Sequence, residues 1–133
     1  MSGFSNHTAQ ALINATLRGI AYSTPLVANL HLALFTADPT DANLTANEVS
    51  AAWYARQATG SWAAPTTGGV TNNLSAIQFP AVTGAPVTVT HYGIYDAASG
   101  GNLLYSNALL ATRTLAINDV LTFDVAALTL SLL

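Results

Sequence analysis

The chain has no lysine and no cysteine. Three arginines and six carboxylates are its only formal charges, 7% of 133 residues, against roughly 25% in a typical soluble domain. Each shortage excludes something. Without Cys there are no disulfides and no thiolate metal sites, and the redox compartment stays open. Arg18, Arg56 and Arg113 are scattered and the net charge is −3; a nucleic-acid face needs several cations on one surface, so no nucleic-acid partner is expected. The polybasic route to anionic membranes fails for the same reason. Mean hydropathy is +0.41, yet no run of about 18 apolar residues occurs, and no membrane-spanning helix is expected. The first residues lack the basic and apolar regions of a signal peptide, so folding in a cytoplasm is the expectation. Repeats and heptads are also missing.

What fills the sequence instead is Thr, Ser, Asn and Ala. Lys is depleted at protein interfaces because its hydrated ammonium and mobile stem are costly to desolvate and fix. A lysine-free exterior suits a chain that neighbours will cover, rather than one kept apart from its copies by charge. The length fits one domain over residues 1–133 with a core that needs no staples.

The only strong helix pattern runs from Asn6 to Ile20, inside an N-terminal segment spanning residues 1–22. Ser5 or Asn6 can cap it, Gly19 marks its end, and Ala9, Leu12, Ile13, Thr16, Leu17 and Ile20 make one apolar face, the segment being packed on the domain or extending from it. The period then changes to two. Leu30, Leu32 and Leu34 alternate with His31, Ala33 and Phe35, which predicts a strand buried on both sides. Pro39 and Asp38 close it with turn chemistry. Thr45-Ala46-Asn47-Glu48 fits a capping box and allows one helical turn, followed by a strand near Tyr54 to Thr59. Ala64 to Gly69 reads as a polar surface loop. Further short strands are expected at 74–79, 87–95, 102–108, 113–117, 121–125 and 128–132, each bounded by Gly, Pro or Asn-Asp. The fold class is therefore mainly β, an antiparallel, jelly-roll-like β-sandwich with one N-terminal α-helix.

Catalytic and metal chemistry find little support. His7, His31 and His91 are isolated, with no paired spacing for a metal. Asp41 to Thr45 has calcium-loop spacing, but Ala46 and Ala52 stand where Gly and a bidentate Glu are required. No Gly-x-Ser-x-Gly elbow exists, and the Gly-rich pieces lack the Lys of a phosphate loop. The carboxylates sit mostly in turns, where Asp serves the backbone. No enzyme activity, cofactor or metal is expected. Interface candidates are Trp62 with the loop Pro65, Thr66, Thr67, Gly68 and Gly69, then Phe4 and Arg18, and Tyr92 on the wet face of its strand. Arg56 is assigned an internal ion pair with Glu48 or Asp96.

Leu34 to Asp41, Glu48-Val49-Ser50, Tyr54 to Gln57 and Thr90 to Tyr105 together resemble a family of small tailed-phage virion structural proteins, often labelled tail-fibre proteins. The resemblance runs from about Leu30 to the C-terminus; residues 60–73 and the helix carry little of it. It implies a virion protein made in the host bacterial cytoplasm. In size and character the chain is similar to capsid cement, or decoration, proteins. That implies a homo-oligomer on the outer capsid surface, bound to the major capsid protein. A fibre shaft would be expected to show repeats. The alternative is a tail-fibre or baseplate-associated module contacting a host surface glycan or protein.

Overall fold

The computed structural model describes residues 3–132. Its elements are one helix, α1 (Asn6–Leu17), and eight strands: β1 (His31–Phe35), β2 (Gln57–Ala58), β3 (Val70–Asn72), β4 (Ile77–Gln78), β5 (Val87–Tyr95), β6 (Leu103–Leu115), β7 (Thr122–Phe123) and β8 (Thr129–Ser131). Two single turns of 3₁₀ helix lie at Val27–Asn29 and Thr45–Asn47. The protein is mainly β, all of its strand pairs are antiparallel, and one helix precedes them.

A four-stranded sheet in the order β2-β1-β5-β6 is accompanied by two ribbons, β3-β8 and β4-β7. The β1 alternation has the expected result. Leu32 and Leu34 enter one cluster with Val89, Tyr92, Ile94 and the ribbon residues Ile77, Phe123 and Leu130. Ala33 and Phe35 enter a second cluster with Tyr95 and Leu103 on the other face. The backbone approaches closely at Gly93. A Cβ there would lie 2.9 Å from the Phe35 ring and 2.8 Å from Leu103, so only glycine lets the ring lie across the β5 backbone.

Several boundaries differ from the sequence reading. The strands expected at 102–108 and 113–117 are one continuous β6, and β3 follows the 64–69 loop where no strand is expected. The strand expected at 54–59 shrinks to β2, because Tyr54 and Arg56 are used for side-chain bonds rather than ladder pairing. The capping box at Thr45 makes no side-chain cap; only the backbone closes that turn. Ser5 does cap α1, its hydroxyl accepting from the Thr8 N–H at 3.1 Å. The helix ends three residues before the expected Ile20, with Gly19 at φ +67° just beyond.

One difference bears on function. Strict alternation along β5 would put Thr88, Thr90 and Tyr92 on the wet face. The register breaks between Val89 and His91, where β6 residues 109–112 stand against Thr90 alone. The bulge turns Tyr92 onto the same core as Val89. Tyr92 is only 3% exposed, and its hydroxyl donates to the Thr129 carbonyl at 3.3 Å. Burial pushes that phenol up to about 12. Tyr92 presents no surface.

Candidate interaction surface

The sequence has two distinctive stores of side chains: a few charges and many apolar groups. One ion pair of the first is turned inward, and one helical stripe of the second is left outside.

Arg56 forms the ion pair expected of it, with Glu48. Its Nε and Nη2 donate to the two Glu48 carboxylate oxygens at 2.8 and 2.9 Å. The Tyr54 hydroxyl donates to the same carboxylate at 2.6 Å and accepts from the Leu34 N–H. The remaining Arg56 nitrogen donates to the Gly100 and Ala97 carbonyls, and the guanidinium lies 3.6 Å above the centre of the Tyr95 ring. Nearly all the capacity of the guanidinium is used inside the chain. Burial alone would raise the Glu48 carboxyl, but the bonds from Arg56 and Tyr54 outweigh it and hold it below the ordinary range. Burial and the Glu48 contact push the Tyr54 phenol well upward. Asp96 takes no part in this pair. Its two oxygens accept from the backbone and side-chain amides of Asn102, closing the β5–β6 turn. The cluster ties β1, the segment before β2 and the β5–β6 turn together. It is structural and faces inward.

The apolar groups of α1 do the reverse. On α1 only Thr8 is buried. Leu12, Ile13 and Ile20 are about half exposed and Leu17 is 79% exposed, with Leu26 and Val27 exposed beyond them. The apolar face of the helix is displayed rather than packed inward. The reason is positional: Ser5 and Asn6 are pinned by backbone bonds to Leu104 and Asp41. The helix starts against β6 and then leads away from the core.

Tyr22 and Pro25, in the segment that follows the helix, line part of an apolar groove of about 510 Å³. Trp62, Pro65 and Gly69 line it as well, as do Ile94, Leu104, Tyr105 and Leu130. Trp62 is half-buried, its indole N–H donating to the Thr59 hydroxyl at 3.2 Å. Pro65 to Gly68 are exposed, as expected, and the Thr66 and Val70 backbones close the loop at 2.9 Å. Asn73, which the sequence reading passed over, organises this region. It is fully buried, its amide donating to the Ser75 and Asp124 carbonyls and its oxygen accepting from the Leu128 N–H. An Asn between two loop stretches gives no local sign of such a role.

The candidates therefore separate. Trp62, Pro65 and Gly69 share the groove, and Phe4 reaches its lining indirectly, with its ring 5.9 Å from that of Tyr105. Arg18 lies apart, exposed and bonded to Asn14 of its own helix. His31 and His91 do not meet. They pair with Tyr95 and Phe35 at opposite ends of the β1–β5 ladder, about 13 Å apart at a rise of ~3.3 Å per residue. Among the described residues no group of three His, Asp or Glu could hold a metal ion, and no helix is long and apolar enough to cross a membrane.

A family model described as podophage GP4 fiber I protein gp80 matches residues 3–131. The chain belongs to that family. It is thus a member of a phage virion structural, tail-fibre-like family, as the resemblance in its middle and C-terminal segments implied. The match extends further than those segments, taking in α1 and residues 60–73. No curated protein matches the chain.

Proposed function

We propose that this chain is a non-catalytic structural subunit of a podophage tail fibre, held in the virion through the displayed face of α1 and the apolar groove. The observation that carries the reading is that face. Leu12, Ile13, Leu17 and Ile20 stand in solvent on a chain with only nine charged residues. Contiguous apolar surface of this kind marks a contact to be covered. The wording of the family description, fiber I protein, supports a fibre reading. Copies of itself and neighbouring tail subunits are the partners. A host surface glycan or protein is a further partner if the Trp62 loop stays exposed in the assembled virion.

A capsid cement protein is the second reading, favoured by the lack of any repeat or heptad of the sort a fibre shaft needs. There the partner is the major capsid protein on the outer head surface. The mechanism is linkage: binding only the mature lattice stabilises that lattice. Copy number separates the two. Gel densitometry of purified virions against the major capsid protein should give tens of copies or fewer, with antibody label confined to the tail. Hundreds of copies spread over the head would replace the fibre reading with the cement reading. Trp62→Ala tests the host contact: lower adsorption with normal particle assembly is the result expected if this loop touches the host.

A further inference from the structure

Residues 3–17 form an arm that is seated on the sheet by its first few residues. Strand β6 is the outer strand, and Gly3 to Ser5 add themselves to its open side. The Ser106 N–H donates to the Gly3 carbonyl at 3.0 Å, and the Ser5 N–H to the Leu104 carbonyl at 3.1 Å. Phe4 stands opposite Tyr105 in the antiparallel bridge that results, with the two rings 5.9 Å apart. The Asn6 N–H donates to the Asp41 carbonyl at 2.8 Å, and Ser5 and Thr8 are buried. Beyond Thr8 no residue of α1 is buried.

The strap that joins this arm to β1 is held far less. From Gly19 to Asn29 every residue is exposed except Tyr22 and Pro25, which are half-buried. Residues 21–25 make no hydrogen bond to any described residue, and the bonds of Ile20, Leu26, Val27 and Asn29 stay within the arm and strap or reach only His31. The first bond to a distant segment comes at Leu30, whose carbonyl accepts from the Thr59 N–H. Gly19 turns the chain at φ +67° in open space, and Pro25 biases Thr24 toward extended backbone. Residues 20–29, drawn out, reach about 33 Å. That is the build of a hinge: stiff, extended and tied at its ends alone.

We infer that the arm is exchanged between two copies of the chain, each docking residues 3–17 on the other's β6 edge with the strap as hinge. The exchange gives up no docking bond, because every contact made within one chain is remade between two. A strand added to a sheet edge is held by backbone bonds, which are the same whichever copy supplies it. What the exchange adds is cover. Leu17 and Ile20 at one end of the strap, and Leu26 and Val27 at the other, are exposed in the single chain. In an exchanged pair the two hinges run alongside each other, so these side chains of both copies come together and leave water. The inference deepens the reading of α1 as an assembly contact and rests on that reading, whether the chain sits in a fibre or on a head.

A disulfide across the seat of the arm tests this, since the chain has no cysteine of its own. The bonds flanking Phe4 and Tyr105 make them the closer kind of antiparallel pair, with Cα atoms about 4.5 Å apart, a separation a disulfide accepts. By sedimentation equilibrium the purified wild type should associate as its concentration rises. The Phe4→Cys, Tyr105→Cys double variant, its fold checked by circular dichroism, should do the same when reduced. Oxidised while dilute, it should lock shut as a monomer and lose association when concentrated; oxidised while concentrated, it should run as a covalent dimer on a non-reducing gel. Deleting Ser23 and Thr24 keeps both aromatic residues and shortens the hinge, which should raise the dimer share at every concentration. The inference is overturned if the wild type stays monomeric, if concentrated oxidation yields only monomers, or if the shortened hinge leaves the dimer share unchanged. Locked chains that still associate, and stop only with Leu17→Ser, would overturn the exchange while leaving α1 as the contact. Normal incorporation of Leu17→Ser into virions would remove the α1 reading itself, and the exchange with it.

Discussion

The Arg56 cluster and the α1 face use side chains in opposite ways. In the first, a guanidinium, a carboxylate and two phenols are taken out of water and matched bond for bond. In the second, leucines and isoleucines are left in water on a helix anchored at one end. A chain with nine charges has spent its best ion pair inside itself and put apolar surface outside. The contrast separates folding from assembly. The cluster ties the chain's own segments together; the helix face is left uncovered within the chain.

Breaking the cluster should give the largest effect. The Arg56 side chain is 6% exposed, and Arg56→Ala strands a buried Glu48 carboxylate, so a loss of about 3–5 kcal/mol is expected in urea denaturation. A variant as stable as wild type would mean that the cluster is ornamental. Gly93→Ala should come next. A Cβ forced against Phe35 and Leu103 is expected to cost about 1–3 kcal/mol, read by the same assay.

A smaller, pH-resolved effect comes from Glu48. Its folded pKa lies below its unfolded one, so its stabilising share is present above the ordinary glutamate value of ~4.3 and is lost as pH falls through the folded value. Asp96, lowered by its Asn102 bonds despite some burial, acts in the same direction. Thermal melts of Glu48→Gln should show a flatter acid limb than wild type; parallel limbs would remove Glu48 from the account. The smallest change in stability belongs to α1. Leu17→Ser, at a side chain 79% exposed, should alter urea stability by no more than about 0.5 kcal/mol. The same variant should nonetheless lower incorporation into virions, measured by quantitative immunoblot. If Leu17→Ser destabilised the free chain as much as Gly93→Ala does, the two regions would not differ in kind.

Much of the architecture was legible before any coordinates. The two-sided burial of β1 follows from its unbroken apolar run, and β5 begins and ends where expected. That Arg56 pairs within the chain was legible too, because so few charges leave few possible partners; the choice of Glu48 over Asp96 came from the fold. Tyr92 was not. A bulge depends on how two strands of different length are matched, which neither strand records alone. Nor was Asn73, whose three bonds reach carbonyls and an amide up to 55 residues away.

By itself the amino-acid order determined the class of fold, the lack of charge and the placing of turns, because these depend on neighbours a few residues apart. Whether the apolar stripe of α1 would be covered was settled only in three dimensions. Helical spacing creates a stripe, but burying it requires another surface to arrive opposite, and in the isolated chain none does.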